Sequence, residues 1–387
     1  MGNVTSSRAA AGRPLWRRPG SMVAAAAAVL ALAAGAVAGL AARGGPHHDS
    51  RRPNGQAGTA QLARPAAPPV FSAYSLAPKH GALFGAWVQP PQQAAADPGK
   101  TATQIEQSAV AGFEHTIGRT LAINNLYVAW ADPMPVSLAA WDLSRGTIPM
   151  ISWAAAPTNQ IAAGRFDAQI RAQARQLKRL HGPVFLRWFA EMDIGESQAD
   201  AVSPASYIAA WRHMHKIFAE VDATNVRWVW CPNSSGFGKT NPAASYYPGK
   251  AYVDWIGTDG YNWGRFDGRG RWQSFQRVVL PFYRWGVSTG KPMLMGEFGT
   301  VEGKPGQKAA WFQQAAEAIQ TEFPAIRAVV YFESEHVNYD RKFDWRVTTS
   351  KTALAAFRAF AHNPYFDAPQ PITKTPLPGG PTEDSSP

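Results

Sequence analysis

A chain of 387 residues has room for one large α/β barrel with tails, and an apolar content of 45% rules out wholesale disorder. The net charge of +11 suggests nucleic acid, but residues 1–65 hold eight Arg against one acid, Asp49, so their +7 leaves only +4 for the remainder and argues against that partner. One cysteine, Cys231, excludes an intramolecular disulfide and a multi-cysteine metal site.

In chain order, Arg13, Arg17 and Arg18 precede an uncharged run of Ala, Val, Leu and Gly from residue 21 to 42. That pattern reads as a signal peptide or a signal anchor, since a bilayer-spanning helix needs ~20 apolar residues. Export is therefore expected, to the extracellular space or to the outer face of the cell membrane, with the membrane touched only through this helix. Residues 43–77 form a linker rich in Pro, Gly, Ala and Gln, and 366–387 a second Pro-rich tail; both are expected to be disordered.

Between them, over 78–365, short apolar runs alternate with helix-like stretches. Strands are predicted at 83–88, 126–130, 148–153, 184–189, 227–231, 255–258, 292–295 and 328–332, with the clearest amphipathic helices at 166–180, 204–221 and 308–322. Eight such units predict a (β/α)8 TIM barrel, and the lack of a Gly-rich phosphate loop after the first strand counts against a doubly wound sheet.

In this fold the chemistry sits where strands end. Strand 4 runs out through Arg187 to Glu191 and Asp193, with Arg187 and Asp193 expected among the substrate contacts, and strand 7 through Gly296 to Glu297. Two carboxyl groups on these strands face each other across the barrel, and a pair ~5–5.5 Å apart suits retaining glycoside hydrolysis, one protonating the leaving oxygen and the other attacking the anomeric carbon. Apolar walls such as Trp188 and Phe189, and the charge of Asp193, would keep the acid protonated. Strand 6 ends at Tyr261 and Trp263, offering a phenol to a carboxylate nucleophile, while Trp87, Trp153, Trp230 and Asn233 end strands 1, 3 and 5. Aromatic faces with a few hydrogen-bonding groups suit a pyranose chain. Asp259, Glu333 and Glu335 also end strands and are read as substrate ligands or rim charges rather than nucleophiles. His336, just beyond strand 8, is a further substrate contact. His213 and His215 read as a surface helix pair on different faces, so no metal site is expected, and the reaction needs no cofactor.

The ordered set Pro149–Trp153, Arg187–Asp193, Tyr247-Pro248-Gly249 with Tyr252-Val253-Asp254, Gly257–Tyr261, Gly296–Gly299 and Asp344-Trp345-Arg346 resembles glycoside hydrolase family 26 over roughly residues 80 to 360. The resemblance implies a TIM barrel of the clan with catalytic Glu on strands 4 and 7. It implies Glu191 as acid/base, Glu297 as nucleophile, Tyr261 as the nucleophile's partner and Trp345 among the substrate contacts. Where family mannanases read His-Glu-Met-Asn-Gly, this chain reads Ala190-Glu191-Met192-Asp193-Ile194. The family also contains β-1,3-xylanases and mixed-linkage β-glucanases. A monomeric retaining endo-glycosidase acting on β-mannan is expected, with those two polymers as alternatives. A rival of another class is a polysaccharide-binding protein on a former enzyme scaffold.

Overall fold

The computed structural model describes residues 76–91, 99–195, 197–267, 270–338 and 341–368. The export segment, nearly all of the linker and most of the C-terminal tail lie outside the described residues. Eight parallel strands close into a barrel in sequence order: β1 (Leu83–Val88), β2 (Ile123–Val128), β3 (Ile148–Trp153), β4 (Val184–Trp188), β5 (Val226–Trp230), β6 (Trp255–Asn262), β7 (Met293–Thr300) and β8 (Ile326–Glu333). Closure is made by β8 on β1, from Leu83 opposite Ala328 to Val88 opposite Glu333. A short antiparallel hairpin, β9 (Glu335–Asn338) with β10 (Arg341–Asp344), follows β8.

The outer layer consists of α1 (Ala102–Ile117), α2 (Val136–Ser144), α3 (Asp167–Lys178), α4 (Pro204–Glu220), α5 (Phe275–Gly286), α6 (Gln307–Thr321) and α7 (Lys351–Ala361). Local chemistry starts and stops them. Thr101 and Gln104 form a reciprocal capping box at α1, and Gly118 ends it at φ 81°. Ser203 caps α4, whose first residue is Pro204. No comparable helix joins β5 to β6; that connection holds short helical turns at Ser234–Phe237, Pro242–Ser245 and Lys250–Tyr252.

Alternation along the strands sorts side chains into two apolar layers. Leu83, Ile123, Ile148, Met150, Phe185, Val229 and Leu294 fill the barrel interior. Leu186, Trp188, Trp228, Trp230 and Trp153 point outward and pack among the helices. A third cluster of Tyr127, Tyr261, Phe332, Phe343 and Trp345, with Trp87 and Trp263 partly buried, caps the interior near the strands' C-terminal ends.

The predicted strands are all present, with the largest differences at three edges. β2 begins at Ile123 because Asn124 and Asn125, which break the apolar run, are paired inside: Asn124 donates to Asp142 at 3.1 and 3.2 Å, and Asn125 accepts from Ser152 at 2.6 Å. β6 and β7 run four and five residues further than predicted, since their polar ends are buried on the strand itself. His215 is a correction: it is not on the surface but 2% exposed, against Trp228 and Tyr252, and burial pushes its pKa down to about 4. His213 instead meets Asp167 at 2.6 Å.

Candidate active site

Glu297 lies in β7 at a place where the pairing register slips on both sides, between Thr258 and Asp259 on β6 and between Met295 and Phe298 toward β8. Such an irregularity re-aims a side chain that strict alternation would send elsewhere. Its carboxylate accepts from three donors on three other strands. Arg187 Nη2 of β4 donates to Oε1 at 2.5 Å, the Tyr127 hydroxyl of β2 donates to the same oxygen, and the Tyr261 hydroxyl of β6 donates to Oε2 at 2.5 Å. Bonds of this kind fix both oxygens.

Beneath it lies a buried charge network. Arg187 Nη1 forks onto both oxygens of Asp259 at 2.8 and 2.9 Å, and its Nε donates to Ser152 Oγ at 2.8 Å. Burial alone would lower the Arg187 pKa, but the charges of Asp259 and Glu297 more than offset it and hold the guanidinium charged. Gly296 makes room for the pair, because a Cβ there would sit 2.7 Å from Asp259 Oδ1 and 2.6 Å from Cys231 Sγ. Cys231 is buried and its thiol donates to Asp259 Oδ1 at 3.2 Å.

Glu191 is placed by the turn that leaves β4. Phe189 and Glu191 both adopt left-handed backbone, φ 49° and 55°, and the turn is pinned by Phe189 N–H to Trp153 O and Glu191 N–H to Cys231 O, each 2.9 Å. Non-glycine residues in this region store strain that surrounding contacts must hold. Burial pushes the Glu191 pKa well above the usual carboxylate range, and the charges of Asp259, Glu297 and Asp193 push the same way. Asn233 donates to its Oε1 at 2.6 Å. Asp193 accepts from the Asn233 backbone N–H at 3.0 Å, and burial raises it to about 6.

The expected site residues fall into three groups. Tyr261 bonds Glu297 and Asn233 bonds Glu191, and Asp193 reaches Glu191 through Asn233. Trp87 and Trp263 form the aromatic wall beside Glu297, Trp87 lying 4.6 Å from Phe332, whereas Trp345, expected to touch substrate, is fully buried, 5.4 Å from Tyr261 and 5.1 Å from Trp263. The third group is corrected. Trp153 and Trp230 do not face the mouth; each has the outward parity of its strand, Trp153 stacked on Trp130 at 4.4 Å and Trp230 against Trp285. Arg187 is not free for substrate, because its guanidinium is consumed by the network. Asp259 is no rim charge but fully buried, and Glu333, 8% exposed, accepts from Val347 N–H at 2.9 Å. The side chain of His336 lies outside the described residues. Tyr127 and Ser152 escaped sequence reasoning, although both share the inward parity of their strands and so carried a signal.

Two clefts open on the mouth. One of about 280 Å³ is bordered by Asn233, Ser235, Tyr261, Trp263 and Arg277, of which Asn233 bonds Glu191 and Tyr261 bonds Glu297. A larger groove of about 680 Å³ runs past Gln89, Phe113, Glu333 and Arg346, and neither Glu191 nor Glu297 lines either opening. The smaller one is the chemically relevant opening. Among the described residues no group of His, Cys, Asp and Glu side chains is arranged to hold a metal ion.

A barrel carrying opposed carboxyl groups at the ends of its fourth and seventh strands has the architecture of a glycoside hydrolase. The family model for glycosyl hydrolase family 26 matches residues 151–342. Endoglucanase H of Acetivibrio thermocellus is 34% identical over 292 residues, covering 72% of this chain and 30% of that protein. Mannan endo-1,4-beta-mannosidase A and B of Caldalkalibacillus mannanilyticus is 29% identical over 159 residues, 41% of this chain and 26% of its own length. The chain thus spans under a third of the length of either curated relative. Among solved structures, the catalytic domain of the Bacillus sp. JAMB-750 GH26 endo-beta-1,4-mannanase shares the fold at a TM-score of 0.57 and 14% identity, over 76% of this chain and 90% of that one. The chain belongs to glycosyl hydrolase family 26.

Proposed function

We propose that the protein hydrolyses internal β-linkages of a polysaccharide with retention, Glu297 attacking the anomeric carbon and Glu191 acting as acid, then base. One observation carries this reading: two neighbouring carboxyl groups sit in opposite surroundings, one ringed by hydrogen-bond donors and the other buried among acids. Glu297 receives an arginine and two phenols, which suits an anionic nucleophile. Glu191 is buried among like charges, which suits a proton donor. In the first step the Glu297 carboxylate bonds to the anomeric carbon as the glycosidic C–O bond breaks and Glu191 passes its proton to the leaving oxygen. In the second, the Glu191 carboxylate takes a proton from water, whose oxygen displaces Glu297. Trp87 and Trp263, which are only partly buried, are the proposed aromatic contacts for the sugar chain.

For the substrate, the longer and closer likeness to an endoglucanase than to a mannosidase supports a β-glucan ahead of the β-mannan expected from the sequence, with β-1,3-xylan third. The Arg-flanked apolar run at 21–42 supports export, and the enzyme is proposed to work as a monomer outside the cell or on the membrane's outer face.

Reducing-end release from mixed-linkage β-glucan, β-mannan and β-1,3-xylan tests this, with Glu297→Ala as control. Release from one polymer, lowered by at least about 10⁴-fold in the control, is expected, because such carboxyl groups carry most of the rate acceleration. Binding of a glycan with no release from any would sink the hydrolase reading and leave the binding-protein alternative.

A further inference from the structure

The acid/base group has a single side-chain partner among the described residues, and that partner's orientation is forced. Asn233 caps the helical turn Ser234–Phe237, and its Oδ1 accepts from the Ser235 backbone N–H at 2.9 Å and from the Ser235 hydroxyl at 2.7 Å. A backbone N–H can only donate, so the atom facing it must be the amide oxygen. The amide nitrogen therefore points the other way, to Glu191 Oε1 at 2.6 Å. The Asn233 main chain is held too, its N–H on Asp193 Oδ1 at 3.0 Å, and Gly236 packs so close that a Cβ there would lie 1.8 Å from Asp193 Oδ2. Residue 190, beside the acid/base, is alanine and offers no hydrogen bond.

We propose that Asn233 is the positioning residue of the acid/base: by donating to Oε1 it confines the transferable proton of Glu191 to Oε2 and turns that oxygen to the substrate. An amide NH2 has no lone pair to receive a carboxylic proton, so Oε1 must accept, a part the carbonyl oxygen of the acid plays better than its hydroxyl, and the proton is left on Oε2. After transfer the same bond holds the carboxylate in place for its second task as base. This role rests on reading Glu191 as the acid/base, and it concerns leaving-group protonation alone. Glu297 has its own donors, Tyr127, Arg187 and Tyr261, none of which bonds Glu191.

The charged and titratable groups acting on Glu191 are Asp259 of β6, Glu297 of β7 and Asp193 of the turn after β4. Arg187 of β4, Tyr127 of β2, Tyr261 of β6 and Cys231 after β5 belong to the adjoining network. All three acids raise Glu191, as burial does, whereas the Asn233 bond lowers it by favouring the carboxylate. Loss of the bond alone thus moves the alkaline limb of the kcat profile to higher pH. A site merely loosened admits water and moves it to lower pH.

The test compares Asn233→Ala and Asn233→Asp with the wild-type chain on aryl glycosides of whichever sugar the polymer panel identifies. Asn233→Asp retains the acceptor for Ser235 and the shape of the cap while removing the donor, so it covers the case in which alanine prevents folding. For phenyl glycosides, whose leaving group needs a proton, kcat is expected to fall roughly 10- to 100-fold in both variants. For dinitrophenyl glycosides, whose leaving group does not, little change is expected. In Asn233→Ala the alkaline limb should rise, as should the Glu191 carboxyl titration followed by carbon-13 NMR and assigned with Glu191→Gln. Equal losses for both leaving groups, no loss for either, or a limb that moves down would overturn the assignment while leaving the hydrolase standing. A wild-type chain inactive on every glycan would overturn both readings at once.

Discussion

Arg187 joins two carboxylates that would otherwise face each other in the barrel interior, and Asp259 is the one that never meets solvent. A buried pair of this kind costs most when one partner is removed, because the remaining charge is left uncompensated. Asp259→Asn should destabilise the protein by about 3 kcal/mol, read as a lower urea midpoint. It should also move catalysis in a defined direction. Among the charges acting on Glu191, that of Asp259 is the largest, and it raises the pKa. Its removal lowers the Glu191 pKa, so the alkaline limb of the pH–rate profile should move to lower pH, opposite to the shift expected for Asn233→Ala. An unmoved limb with intact folding would contradict this electrostatic account. Both glutamates were legible in the sequence because each is a lone acid closing an apolar strand. The network under them was not, because Arg187 and Asp259 look in sequence like mouth residues and only the barrel's closure brings β4, β6 and β7 to one point.

At the scale of the strand and helix, parity decided what could be read. Trp153 and Trp230 end strands just as Trp87 does, yet they face the helices, and one residue of register separates the two outcomes. The slip around Glu297 cannot be inferred from an apolar run, since the extra residue leaves no compositional mark. Helix α4 shows a related limit: an HxH pair does place its members on different faces, but the face of His215 is the buried one. Its pKa, down to about 4, sets a stability effect whose sign follows directly. Between pH 4 and about 6.5 the unfolded chain binds a proton there that the native helix refuses, so stability rises with pH across that window and is lost as pH falls through it. The contribution is up to about 3 kcal/mol. A His215→Phe variant should therefore show a flatter decline of melting temperature from pH 6.5 to 4 than the wild type, and an equally steep decline would contradict the assignment.

The barrel is closed off by the last described turn, Pro364–Phe366. Ala82, just before β1, donates its N–H to Tyr365 O at 2.9 Å, and Arg119, following α1, reaches Ala361 O, Phe366 O and Asp367. Phe366 is 1% exposed and packs 4.6 Å from Phe360 and 6.2 Å from Phe84. The sequence reading placed the tail's start at 366 because Pro density rises there, whereas this phenylalanine is still core. Truncation after His362 should cost roughly 3–5 kcal/mol, the usual cost of emptying a buried phenylalanine site. A thermal melt that finds the truncated chain as stable as the full one would contradict this.

The connection from β5 to β6, which has no long helix, is also the stretch that begins with Asn233 and borders the smaller cleft. The partners of Glu297 come from β2, β4 and β6, so the groups that hold Glu297 and the loop that holds Glu191 through Asn233 occupy separable pieces of chain. Such a division is a form of modularity: changes confined to residues 238–250 leave in place every donor to Glu297 and the cap formed by Asn233 and Ser235. The barrel thereby offers an engineer a replaceable face on a fixed engine.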